Sequence, residues 1–294
     1  MSDWSTIAVE LLGSSTRYVS GRQYRTRIIE AGEGDPLILI HGVGNSAECF
    51  ARNIVRLGRH FHVYAVDALY HGFSTLEPYD AEHRVLRQAD AVLDFMDAEG
   101  LAWAHLEGES MGAGIAFEIA MRNPERCGKL VLNSGSYYVQ FTREFGSPSG
   151  GLAGGAAYLM KVCRESITDP GPTSQRTRLE YFLADPAQVT DELVALYGHL
   201  YADPAINASM QRVFGMTAPR GNLAGWSEEA AGKLRVPTLV LWTDQNKGQG
   251  VDIGEHLASV LPGAQLRIIA GACHWPQWER PEEHDAIVTS FLMG

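Results

Sequence analysis

Ala104-His-Leu-Glu-Gly108-Glu109-Ser110-Met111-Gly112 is the stretch on which the reading of this chain turns. Its first four residues are strand-like, and Met111 to Arg122 has the composition of a helix. Between them lies Gly-x-Ser-x-Gly, with the serine on a very sharp strand-to-helix turn. Side chains at the flanking glycine positions would collide with the chain there. Ser110 is thereby raised above the sheet at the positive end of a helix. Such a serine reads as a nucleophile, and the Met111 N–H as one donor to an oxyanion. The motif alone is weak in a chain with 31 glycines. The strand before it and the helix after it make it specific.

Working outward, Pro36–Ile40, Val63–Val66 and Lys129–Leu132 are short apolar runs of the kind buried on both faces of a sheet. Arg17–Ala31 reads as a hairpin around Ser20-Gly21, and Glu82–Glu99 carries a helical apolar period. Alternating strands and helices imply an α/β fold, a mostly parallel sheet flanked by helices. The rhythm breaks from Tyr137 to Leu234, which is helix-like and opens on the glycine-rich run Gly146–Gly155, expected to be a loop. It resumes at Val236–Trp242, Asp252–Leu261, Gln265–Ile269 and Glu282–Leu292. The expected organisation is a catalytic core of residues 1–136 and 235–294, with a helical cap at 137–234 inserted between two sheet strands.

A formal charge of −11 disfavours nucleic acid and anionic membrane surfaces, which reward clustered positive charge. No apolar run is long enough to span a bilayer, and the first residues lack a secretion signal. The four cysteines have neither CxxC pairing nor metal-ligand spacing, so reduced thiols and a cytoplasmic location are expected, with no metal. No cofactor is called for. A small-molecule substrate is the expected partner, and homo-oligomerisation is left open.

A serine hydroxyl needs a base. His274 follows the last apolar strand, on the sheet edge where the Ser110 turn emerges, and it is the candidate. The second oxyanion donor is expected from His41-Gly42-Val43-Gly44-Asn45, where small residues let a backbone N–H approach a carbonyl oxygen; Val43 is the choice. His41 is read as shaping this loop. Cap aromatics Tyr137, Tyr138, Tyr158, Tyr197 and Phe214, together with Gly42 and Trp275, are candidates for the pocket wall, with ordinary core packing the alternative for each aromatic.

His-Gly-x-Gly at 41–44, the elbow, and His274-Trp275-Pro276-Gln277-Trp278-Glu279 together resemble the α/β-hydrolases that cleave meta-cleavage products of aromatic degradation. The resemblance implies the α/β-hydrolase fold and hydrolysis of a carbon–carbon bond in a vinylogous diketone, with an esterase or lactonase using the same triad as the alternative. Three positions depart from that family's pattern. Its triad acid lies after the strand matching Thr238–Trp242; Asn246 stands at that place, with Asp244 two residues earlier. Asn orients an imidazole but does not stabilise an imidazolium, and the Asp-to-Asn exchange costs a serine protease about 10⁴ in rate. Asp244 is therefore the favoured acid, Asn246 the second candidate, and Asp252 and Glu255 follow. Glu109 replaces the family's usual Asn and is read as a solvated or hydrogen-bonded structural residue, a substrate contact being the alternative. No arginine lies in Asp191–Gly198, where the family carries one against the dienoate; Arg143, Arg212 and Arg220 are the substitutes.

Two other classes compete. Gly42-Val-Gly-Asn-Ser-Ala47 followed by Asp67 has the layout of a dinucleotide site, but that reading leaves the elbow and His274 without a role. A non-hydrolytic binding module on the same fold is the other, and the uncertain acid is its support.

Overall fold

The computed structural model describes residues 6–142, 145, 151–219 and 225–294. A short helix, α1 (Ile7–Glu10), leads into the hairpin β1 (Ser15–Ser20) and β2 (Arg25–Ala31). The Asp94 carboxylate ties the hairpin turn by accepting the backbone N–H groups of Arg22, Gln23 and Tyr24. Next come β3 (Pro36–Ile40), α2 (Ala51–Leu57), β4 (His62–Val66), α3 (Arg84–Ala98), β5 (Ala104–Glu109), α4 (Met111–Arg122) and β6 (Cys127–Asn133). The segment between the two halves of the sheet holds β7 (Val139–Gln140), α5 (Gly151–Thr168), α6 (Pro172–Phe182), α7 (Asp191–Ala202), α8 (Pro204–Val213), β8 (Trp226–Ser227) and α9 (Glu228–Ala231). The chain then completes the sheet through β9 (Thr238–Thr243), α10 (Val251–Val260), β10 (Gln265–Ile269), α11 (Pro276–Glu279) and α12 (Pro281–Met293).

The sheet has eight strands in the order β1-β2-β4-β3-β5-β6-β9-β10. Pairings β1–β2 and β2–β4 are antiparallel, and the rest are parallel. Alternation along each strand sends side chains to opposite faces. Ile38 and Ile40 pack with Leu106, Leu132 and Phe117 of α4 on one face. Leu37 and Leu39 pack on the other with Ile54 and Leu57 of α2 and Val288 of α12. This is why the buried strands read as unbroken apolar runs: both faces are covered, and each large side chain buried contributes about 1.5–3 kcal/mol.

A third cluster holds the inserted helices together and ties them to the core, with Leu179, Phe182, Leu193, Tyr197 and Phe214 meeting Trp275 and Trp278. Two local readings of this segment need correction. Gly151–Gly155 belongs to the first turns of α5 rather than to a loop, while residues 146–150 lie outside the described residues. Helix propagation from a well-packed C-terminal half, where Val162, Cys163 and Ile167 are buried, outweighs a glycine cost of about 1 kcal/mol per residue. Helix-like composition also hid β7 and β8, a two-residue parallel pair joining Val139 to Trp226. Among the described residues no helix is long and apolar enough to cross a membrane, and all four cysteines are buried, none of them in a disulfide.

Candidate active site

Ser110 sits between β5 and α4 with φ 53° and ψ −111°, in a region that L residues other than glycine seldom occupy. Its N–H donates to Asn133 O at 2.8 Å, and its carbonyl accepts from Ala113 N at 3.1 Å, so bonds on both sides hold the strained turn. The glycines are required by contact. A Cβ on Gly112 would strike the carbonyl of Ile40, and one on Gly108 would strike the carbonyl of Gly112. The turn can be this sharp only because α4 packs against β3 and β5 without side chains between them.

Ser110 opens into a cavity of about 750 Å³, lined also by Val43, Met111, Tyr137, Tyr138 and Met160. Met111 is the first residue of α4, where backbone N–H groups have no partner within the helix. Both residues read from the sequence as oxyanion donors thus border the same space as the serine. Tyr137 and Tyr138 line it too. Tyr158, Tyr197, Phe214, Gly42 and Trp275 are not among its lining residues. Trp275 is fully buried and stacks on Phe182, ring centroids 5.2 Å apart and 6° between planes, so it joins core to cap instead of walling the pocket. Gly42 turns its N–H to Glu109 Oε2 at 2.8 Å.

His41 shapes the oxyanion loop by a bond at each end of its ring: Nδ1 to Gly42 O at 2.7 Å, and Nε2 accepting from Ala68 N at 3.0 Å. Asp67, the residue that a dinucleotide site would use for a ribose, is fully committed inside the protein. Its carboxylate accepts from Ala47 N at 2.8 Å and Phe73 N at 2.9 Å and pairs with Arg27.

His274 lies in the loop between β10 and α11 and is almost fully buried. Its backbone N–H donates to Phe182 O at 2.9 Å, and the ring packs on the Phe182 ring. Glu279 explains the conspicuous His-Trp-x-Gln-Trp-Glu pattern. One of its carboxylate oxygens accepts from Cys273 N and the other from Ala184 N, both at 2.6 Å, clamping the histidine loop to the segment after α6. Burial pulls the His274 imidazole down to about 4, which keeps it neutral at neutral pH.

The favoured acid is displaced from this ring. Asp244 is exposed and its Oδ1 accepts from Gly271 N at 2.8 Å. Asn246 is the residue beside the ring, its Nδ2 3.1 Å from His274 Nδ1. An extended backbone would set Asp244 on the same side as Asn246, two positions on, but β9 ends at Thr243 and both residues lie in the turn that follows, where strand alternation no longer applies. Asp252 sits in the first turn of α10 and Glu255 farther along that helix.

On the other side of the ring, Nε2 is 3.2 Å from Oε1 of Glu109, the residue immediately before Ser110. Glu109 has no solvent exposure, and burial pushes its carboxyl up to about 8, Glu107 adding to the rise while the Gly42 N–H, Asn45 and Arg178 oppose it. Sequence reasoning allowed it to be solvated or hydrogen-bonded; it is fully buried with Oε2 accepting from Gly42 N, and its approach to the histidine was missed.

A second omission is Arg178, fully buried in α6. Its Nη2 donates to Gly44 O at 2.6 Å and Asn45 Oδ1 at 2.8 Å, and Tyr201 Oη donates to the same Gly44 O at 2.8 Å. Its guanidinium also lies over the rings of Tyr197, Tyr201 and Phe182. A signal was present: Gln175, Arg178, Leu179 and Phe182 share one buried helical face, on which a charge is out of place without a partner. Of the arginines suggested as substitutes, Arg212 pairs with Glu77 away from the cavity lining, and Arg143 and Arg220 lie outside the described residues.

Comparison with known proteins agrees with this fold. Residues 35–281 match the family model described as alpha/beta hydrolase fold. A 2-hydroxy-6-oxononadienedioate/2-hydroxy-6-oxononatrienedioate hydrolase of Comamonas testosteroni is 30% identical over 281 residues, covering 92% of this chain and 91% of its own. A 2-hydroxy-6-oxo-6-phenylhexa-2,4-dienoate hydrolase of Burkholderia cepacia is likewise 30% identical, with 92% and 91% covered. The meta-cleavage product hydrolase CumD of Pseudomonas fluorescens IP01, solved as a mutant complexed with acetates, superposes with a TM-score of 0.79 at 26% identity, covering 96% of this chain and 98% of that one. With a match that runs through both halves of the sheet and the helices between them, this chain belongs to the α/β-hydrolase fold family.

Proposed function

We propose that this protein is a serine-nucleophile hydrolase that cleaves a carbon–carbon bond in a meta-cleavage-product-like vinylogous diketone. The observation that carries the reading is Ser110, held at a strained positive φ and bordering a largely aromatic and aliphatic cavity of about 750 Å³. That volume suits a substrate of drug-like size, within the roughly 300–1,000 Å³ typical of ligand pockets. The names of the relatives from Comamonas and Burkholderia support the substrate class.

In this mechanism Ser110 Oγ bonds to the substrate carbonyl carbon as the carbonyl electron pair moves onto oxygen. The N–H groups of Val43 and Met111 receive that oxyanion, each donor being worth about 3–4 kcal/mol in such sites. Collapse breaks the carbon–carbon bond, and its electron pair leaves on a carbon made a stabilised carbanion by prior conversion of the dienol to the ketone. That carbon takes up a proton, and water then releases the acyl group from Ser110. His274 handles the protons. Asn246, rather than Asp244, is the residue that orients it from Nδ1.

The test is a substrate panel: 2-hydroxy-6-oxohexa-2,4-dienoate analogues against p-nitrophenyl esters and lactones, with wild type and Ser110→Ala. Dienoates turned over at least about tenfold faster in kcat/KM than the esters and lactones, with turnover lost in Ser110→Ala, are expected. Turnover of esters or lactones alone overturns the carbon–carbon assignment. Failure of Ser110 to react with a fluorophosphonate probe overturns the nucleophile and favours a binding module.

A further inference from the structure

The hydrogen-bonding role of the His274 ring is set by the residue at its Nδ1. Asn246 Oδ1 accepts two backbone N–H groups, from Gly248 at 3.1 Å and Gln249 at 3.2 Å. That leaves the amide NH₂ facing His274 Nδ1 at 3.1 Å. Turning the amide over would set its NH₂ against two N–H donors, so the turn after β9 fixes which end faces the ring. An NH₂ group can only donate, and a ring nitrogen that accepts carries no proton. In the neutral ring the proton is then on Nε2, which lies 3.2 Å from Glu109 Oε1 with no hydrogen bond between them.

We propose that Asn246 fixes His274 as its Nε2–H tautomer. The inference rests on the reading of Ser110 and His274 as the reacting pair. Its consequence is a site that rests with His274 as a hydrogen-bond donor. To accept the Ser110 proton at Nε2, the ring must give up its own Nε2 proton and gain one at Nδ1, and the locked amide opposes that exchange. The ordinary arrangement, a carboxylate at Nδ1 that keeps Nε2 free to accept, is the one in which an Asp-to-Asn exchange produces the wrong tautomer. Here that tautomer is the resting one. Asn246 is a positioning residue, acting through His274.

The test needs no substrate at its first step. NMR of the intact protein carrying isotope-labelled histidine, with His274 assigned through His274→Ala, should show a protonated Nε2 and an unprotonated Nδ1 at neutral pH. In Asn246→Asp the proton should move to Nδ1. That variant should raise kcat by about tenfold or more with little change in KM, part of the ~10⁴ that the reverse exchange costs a serine protease. A protonated Nδ1 in the wild-type ring overturns the proposal, and so does a folded Asn246→Asp protein with unchanged or lower kcat. Because the tautomer is read without turnover, a wrong substrate class leaves this test standing.

Discussion

Arg178→Met is the substitution whose outcome says most about how the cap serves the active site. The arginine is fully buried, and its Nη2 bridges Gly44 O and Asn45 Oδ1 at 2.6 and 2.8 Å. Methionine keeps a similar flexible stem and deletes the charge. Two hydrogen bonds from a charged donor are lost, each worth roughly 1.5–3 kcal/mol. Removing a buried cation also relieves its desolvation, and Gly44 O retains the Tyr201 hydroxyl. Asn45 Oδ1 loses its charged donor. The net effect expected is a loss of roughly 1–3 kcal/mol in stability. Activity should suffer more than stability implies, because Gly44 follows Val43, one of the two proposed oxyanion donors. A displacement of about 1 Å at such a donor costs on the order of 10²-fold. We therefore expect kcat to fall roughly 10–100-fold, with KM changed less. Urea unfolding measures the first quantity and steady-state kinetics the second. A folded variant with kcat within about twofold of wild type would show that the cap does not hold the loop.

Other outcomes follow from single contacts. Gly112→Ala places a Cβ against the Ile40 carbonyl, a backbone atom that cannot swing aside, and should cost at least about 1–3 kcal/mol together with most of the activity, read by thermal unfolding and kcat. Asp244→Asn should keep kcat within about threefold, since its carboxylate serves Gly271 N at the surface; a loss near the ~10⁴ of a true triad acid would reinstate it. His284 is buried between Glu107 and Asp285; burial lowers its pKa, but the two carboxylates outweigh that and push it up to about 10. A base whose folded value is raised contributes stability that is complete below about 6.5 and disappears as pH climbs to about 10. Urea midpoints should therefore fall more steeply over that interval in wild type than in Glu107→Gln, and equal slopes would refute the pairing.

Much of the architecture was legible because its causes are local. Apolar runs such as Pro36–Ile40 can be stable only where both faces are covered, which dictates a parallel sheet between helices. Gly108 and Gly112 announce the elbow because the collision they avoid is with backbone one turn away or in the adjoining strand. His41, Ser110 and His274 each lie beyond the C-terminal end of a parallel strand, and strand order and direction put those ends on one sheet edge.

What the linear order could not reveal was which side chain meets which across that edge. Asp244 and Asn246 differ by two positions, and only the folded turn, with Gly248 N and Gln249 N drawing the Asn246 carbonyl away, decides that Asn246 meets His274. Glu109 and Arg178 come from a strand and a cap helix 69 positions apart, yet both end at the oxyanion loop, on Gly42 and on Gly44. Charges are buried only where partners await them, and those partners are distant in sequence. Their pairing therefore belongs to the tertiary structure, while the sheet, the elbow and the nucleophile belong to the sequence.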